Sequence, residues 1–170
     1  IMWLRGFFGK LLLCFFEHFP VDSFWCGTDP TQLSQPLRQV LLQRQIPVRQ
    51  FPVGWSTVFS HGNGSLNLYV PELERGSKND RSVAAYVNYG EDGLLLTGDL
   101  EQAGTQALLD SGVLLGPVSL LKLPHHGSRH SGARQLVETL HPNKAFVSVG
   151  YQNSYRFPAP DVVNALRKKN

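Results

Sequence analysis

Two apolar runs in the middle of the chain each end abruptly in side chains able to bind a metal ion. Gly93-Leu94-Leu95-Leu96-Thr97-Gly98-Asp99 delivers a carboxylate. Val118 to Leu123, apolar except for Ser119 and Lys122, leads to Pro124-His125-His126-Gly127-Ser128, with His125 lying 26 residues beyond Asp99. Runs of this length between turn residues read as strands. If the two strands are neighbours, an acid and imidazoles converge at their tips. Mixed oxygen and nitrogen donors suit Zn²⁺ or Mn²⁺, so metal-assisted hydrolysis is the first chemistry this pattern suggests.

The bulk properties narrow the alternatives. A chain of 170 residues has room for one domain with a real core, and with no repeat and no linker visible, residues 1–170 read as a single domain. Sixteen Lys and Arg against 13 acids give a net charge of +3, too mild to announce nucleic-acid binding unaided. The basic residues are scattered apart from Arg167-Lys168-Lys169, which reads as a solvated helix terminus favoured by the helix dipole. Cys14 and Cys26 form no Cys-x-x-Cys pair, which argues against a cysteine zinc site. The N-terminal stretch Ile1 to Phe16 is apolar but interrupted by Arg5 and Lys10, and falls short of the about 20 residues a membrane span needs. It has no small-residue cleavage site, so a buried amphipathic helix is expected.

Helices are expected over about Phe7–Phe19, Thr31–Gln45, Leu100–Asp110, Ser131–Leu140 and Pro160–Lys168. Strands are expected over Val21–Cys26, Pro47–Phe51, Thr57–Phe59, Ser65–Val70, Ser82–Tyr89, Leu94–Leu96, Val118–Leu123 and Lys144–Val149. Val53-Gly54-Trp55 reads as a turn, and Gly90-Glu91-Asp92-Gly93 as a hairpin. The alternation of strand and helix in the second half implies an α/β layered fold with a mixed sheet.

Each candidate residue has a plainer reading. Asp99 precedes a helix and would serve well as its N-cap; only the histidines make the metal role the better one. His125 and His126 are adjacent, so on an extended backbone they face opposite ways and one ring is the expected ligand. The other would face substrate or support the ligand shell. Ser128 is placed to donate to a phosphate. Asn79 and Ser82 open the strand beside the Asp99 strand, either as turn residues or as polar lining of the same cleft. Asn153 and Arg156 belong to the loop Tyr151-Gln152-Asn153-Ser154-Tyr155-Arg156-Phe157-Pro158, which would stack on a base or contact a phosphate through Arg156, or simply cover the site. His18, His61, His130 and His141 are scattered and read as structural.

Taken in order, Leu95 to Glu101, Leu121 to Ser128 and Val147 to Tyr155 with Pro158-Ala159-Pro160 resemble the metallo-β-lactamase-fold domain at the C-terminus of ComEC-type DNA-internalisation competence proteins. Glu17-His18-Phe19-Pro20-Val21, Ile46-Pro47-Val48 and Asn79 to Val83 are similar to its earlier segments. The resemblance implies an αβ/βα sandwich with a two-metal site, and a nuclease or related phosphodiesterase acting on single-stranded DNA during uptake. It implies Asp99 as bridging ligand, His125 or His126 as terminal ligand, and catalytic roles for Asp99 and His126. It further implies Zn or Mn as cofactor, a membrane channel domain in the same polypeptide, and a location at the bacterial inner membrane outside the cytoplasm; a cytoplasmic soluble protein is the alternative.

The departures from the family are specific. No His-x-His-x-Asp-His motif stands in Ile1 to Gly6, and Phe157 occupies a position where many members carry His. The expected fold is therefore an incomplete sandwich lacking its first strands and first metal motif, either truncated or decayed. One apolar sheet face would then be exposed and open to self-association. The rival functions are an inactive remnant or binding module of the same fold, and a small-molecule metallo-hydrolase.

Overall fold

Alternating apolar residues in the middle of the chain build one large sheet in the computed structural model, which describes residues 14–16, 18–112 and 116–168. The described residues group into two compact units, Ile1–Phe51 and Pro52–Asn170, although the sequence shows no linker between them.

In the first unit, residues 14–16 and 18 are helical and Phe19 is a bend; residues 7–13 and 17 of the helix expected over Phe7–Phe19 lie outside the described residues. Strand β1 (Phe24–Cys26) pairs in parallel with β2 (Val48–Gln50), and helix α1 (Gln35–Gln43) joins them. Pro36 sits in the first turn of α1, where its missing N–H costs nothing. Leu41, Ile46 and Phe16 are buried together, with Leu37, Val40 and Val48 packed around them.

The second unit holds a six-stranded mixed sheet in the order β3 (Gly54–His61), β4 (Gly64–Val70), β5 (Ala84–Tyr89), β6 (Asp92–Leu96), β7 (Leu120–Lys122), β8 (Lys144–Phe146). The pairs from β3 to β6 are antiparallel, and β6, β7 and β8 run parallel. Parallel neighbours need crossover connections, supplied by α2 (Gln102–Asp110) and α3 (Ala133–Leu140). Helix α4 (Pro160–Arg167) follows β8 and packs on α3. The mixed α/β class read from the sequence is what forms. The turn expected at Val53-Gly54-Trp55 is instead the start of β3, because Trp55 pairs with Tyr69 and packs its ring into the core. Gly93, expected in the hairpin turn, lies within β6, leaving Gly90-Glu91 as the loop.

Period-two alternation sorts the sheet faces. Tyr69, Ala84, Tyr86, Leu95 and Leu121 point to the helices and are buried with Leu136, Val137 and Val162. Full burial of each leucine or valine among them stabilises by about 1.5–3 kcal/mol. The opposite face carries Phe59, Val87, Leu94, Leu96, Leu120 and Phe146 in register, with Phe59, Val87 and Phe146 exposed.

Asp80 ties the loop before β5 to the first turn of α2. Its buried carboxylate accepts from the N–H of Gly104 and of Ser77, each at 2.8 Å. Burial opposes the charge, but the amide and hydroxyl donors outweigh it and hold the carboxyl below its ordinary value. A depressed folded pKa contributes stability that is complete above the unfolded value and lost as pH falls through the folded one. Acidification from about pH 5 to about pH 3 should therefore destabilise the wild type more than Asp80→Asn, read from urea midpoints. Equal slopes would mean that the carboxylate charge is not what holds α2.

Candidate functional site

The tips of β6 and β7 are stitched together before any functional side chain is placed. Thr97, fully buried, donates its hydroxyl to Lys122 O at 2.8 Å. Lys122 returns the link, its ammonium donating to Gly98 O at 3.2 Å and Leu123 O at 3.3 Å. His125 N–H adds a bond to Gly98 O at 3.3 Å. Burial pushes the Lys122 ammonium pKa down, opposed by the Asp99 carboxylate. Gly98 takes φ 56°, and a Cβ there would stand 3.1 Å from Ser82 Cβ, so a glycine lets the chain turn sharply and present Asp99 at the tip.

Beyond Pro124, the backbone is not extended. His125, His126 and Gly127 occupy the left-handed region in succession, with φ of 43°, 57° and 73°. The opposed-faces geometry expected for the histidine pair is replaced by a left-handed turn. Each non-glycine residue held there costs about 1–2 kcal/mol, and such outliers persist where surrounding contacts impose them. Those contacts are visible: Ser128 N–H bonds His125 O at 3.0 Å, and Ala159 N–H bonds Gly127 O at 2.9 Å.

The turn aims the rings differently. His126 Nδ1 lies 2.6 Å from Ser148 O, beyond the end of β8. A carbonyl only accepts, so Nδ1 carries a proton, and in the neutral ring Nε2 keeps its lone pair. That Nε2 faces Asp99 Oδ1 at 3.8 Å. His125 is more enclosed, and its Nδ1 lies 3.3 Å from Glu101 Oε1. The alignment is not that of a hydrogen bond, and the nitrogen is buried without a bonding partner. Glu101 Oε1 is held in turn by Asn79 Nδ2 at 3.0 Å.

The structure thus gathers Asn79, Ser82, Asp99, His125 and His126 around the strand tips. Ser128 does not join them; it is buried, and its hydroxyl accepts from His130 N–H at 3.3 Å. Asn153 is spent inside its own loop, donating to Gly150 O and Phe157 O and accepting from Phe157 N–H. Arg156 is exposed on that loop with φ 55°. Glu101 and Lys122 are members that the sequence reading left unassigned. The signals were an acid two residues past Asp99 and a lone charge inside an apolar strand.

Two donors about 2.1 Å from one tetrahedral ion stand roughly 3.4 Å apart, so the Asp99–His126 separation fits two positions on a shared cation. A carbonyl bond on the far ring nitrogen is the usual support for a ligating histidine. Among the described residues, no group of three or more His, Cys, Asp and Glu side chains is placed to hold a metal ion.

Gly127 is the steric key to the turn. A Cβ there would stand 2.7 Å from Pro158 Cβ, on a backbone that side chains disfavour. Gly127→Ala should cost about 2 kcal/mol or more in chemical denaturation and shift the His126 ring resonances. A loss below about 0.5 kcal/mol would show that Pro158 yields easily.

No protein-family model matches the chain. Curated relatives do. ComE operon protein 3 of Bacillus subtilis is 33% identical over 104 residues, which is 61% of this chain and 13% of that protein. Recombination protein 2 of Haemophilus influenzae is 32% identical over 53% of this chain and 11% of its own length. Competence protein ComA of Neisseria gonorrhoeae is 36% identical over 52% of this chain and 13% of its own. The matched stretches are a small part of these longer proteins. Over about half of its residues, this chain is a homologue of ComEC-type competence proteins.

Proposed function

We propose that the chain carries the aspartate–histidine portion of a divalent-metal site in a metallo-β-lactamase-like domain, and that the complete protein hydrolyses phosphodiester bonds of DNA during uptake. The carrying observation is His126 Nε2 facing Asp99 Oδ1 at 3.8 Å, with Nδ1 held by Ser148 O at 2.6 Å. Names such as competence protein ComA among the relatives support the DNA-uptake setting.

Asp99 and His126 would hold the ion, Zn²⁺ or Mn²⁺ by donor type. When bound, a divalent ion there supplies Lewis-acid stabilisation to charge growing on a phosphate oxygen. The chain's own residues do the positioning. Ser148 O sets the His126 tautomer, the Thr97–Lys122 stitch holds the Asp99 tip, and Asn79 with Glu101 borders the His125 ring. The Lys122 ammonium adds positive charge beside the cleft. In this reading the domain works beside a membrane-spanning portion of a longer polypeptide; among the described residues, no helix is long and apolar enough to cross a membrane.

A rival reading is a non-catalytic copy that binds without hydrolysing. It draws on the absence of a third clustered donor among the described residues. Calorimetric titration of the chain with Zn²⁺ and with Mn²⁺ tests the metal site. Binding should be weakened at least about tenfold by Asp99→Ala and by His126→Ala. Uptake below about a tenth of an equivalent, or unchanged affinity in Asp99→Ala, would refute it. In a longer version that hydrolyses single-stranded DNA, Asp99→Ala should abolish the reaction while leaving the circular dichroism spectrum intact; retained hydrolysis would refute the catalytic role.

A further inference from the structure

The loop between β8 and α4 has a feature that the metal reading does not use. From Pro142 to Pro160 there is no acidic residue, while two tyrosines and an arginine point outward. Tyr151 is 93% exposed and Tyr155 61%. Tyr151, almost wholly exposed, buries too little of its area to serve a structural role.

This support is stiff. Asn153 sits at the centre of the loop and closes it from inside. Its amide donates to Gly150 O at 3.3 Å and to Phe157 O at 2.8 Å, and its Oδ1 accepts from Phe157 N–H at 2.9 Å. Arg156 N–H bonds Asn153 O at 3.1 Å. Gln152 and Arg156 are both held at positive φ, 49° and 55°. The tyrosines are therefore presented by a preformed bow.

The bow is joined to the cleft through rings. Tyr155 stacks on Phe157 at 5.5 Å between centroids and 17° between planes. Phe157 meets the His125 ring edge-on at 6.2 Å. Aromatic rings running away from a phosphate-directed cleft, with an arginine and no carboxylate in the segment, match the chemistry of a single-stranded nucleic acid. Bases stack on rings, and the phosphates seek positive charge.

We propose that the Gly150–Phe157 loop is a base-stacking platform, with Tyr151 and Tyr155 receiving unpaired bases of a single strand whose backbone enters the Asp99–His126 cleft. Tyr151 and Tyr155 are substrate-positioning residues in this scheme, and Arg156 contributes charge to the strand. The proposal rests on the DNA reading above, but its test does not require metal or hydrolysis.

The experiment is fluorescence anisotropy of the metal-free chain with a labelled oligothymidylate and with an abasic strand of equal length and charge. The oligothymidylate should bind roughly tenfold more tightly. Tyr151→Ala should diminish that preference with an unchanged melting temperature, since the side chain is almost wholly exposed. Tyr151→Phe should keep it, because the ring and not the hydroxyl does the stacking. Tyr155→Ala should weaken binding while Tyr155→Phe does not. Equal binding of the two strands, no binding of either, or an undiminished preference in Tyr151→Ala would overturn the platform. None of these outcomes bears on the ion titration of Asp99 and His126. Conversely, a base preference in a chain that takes up no Zn²⁺ or Mn²⁺ would keep the platform and discard the metal site.

Discussion

Asp99, Glu101, Lys122, His125 and His126 all hang from the parallel junction of β6 and β7. Parallel pairing aligns the carboxyl ends of the two strands, so residues that follow them emerge side by side. Thr97, Lys122 and the His125 amide then bond across the tips to backbone carbonyls. These are buried or half-buried polar groups, and leaving any one unpaired would cost about 1–3 kcal/mol. The junction is thus both rigid and intolerant of register slip. A shift by one residue would turn Leu95 and Leu121 out of the core and carry Asp99 away from His126.

On that rigid base the chain holds a conformation it would not adopt alone. Two successive histidines in the left-handed region are disfavoured, and the neighbours that impose the turn are distant in sequence: Gly98 on one side, Ala159 and Pro158 on the other, Ser148 at the ring. Stored strain of this sort orients one imidazole with its Nε2 toward Asp99. It also explains why glycine follows: at Gly127 the Pro158 ring occupies the space that a Cβ would need. The same β8–α4 connection that confines the turn also carries the exposed tyrosines, and its Phe157 ring meets the His125 ring edge-on.

Much of the architecture was legible from residue pattern. Triplets such as Leu94-Leu95-Leu96 read as buried strand, and α3 shows its buried face in Ala133, Leu136 and Val137. The helix expected to end at Asp110 does end there, and Gly112 just beyond it takes φ 64°, which suits glycine. Misread elements had a common cause. Gly54 and Gly93 look like turn residues but lie in strands, where what matters is the neighbour: Trp55 is drawn into the core beside Tyr69, and Gly93 leaves room for Tyr86 and Pro117 O. Pattern rules weigh a residue's own preference and are blind to a partner tens of positions away.

What the sequence alone determined is the chemical inventory and its order: an acid after one apolar run, two imidazoles after the next, and an aromatic, acid-free loop after the third strand. Those follow from side-chain chemistry and local periodicity. Only tertiary structure decided which members meet. It set Asp99 against His126 rather than His125, turned Ser128 inward, brought in Glu101 and Lys122, and spent Asn153 on its own loop. The reason is that coordination and hydrogen bonding depend on direction at the ångström scale. Direction at a strand tip is set by the neighbouring backbone, which local sequence does not encode.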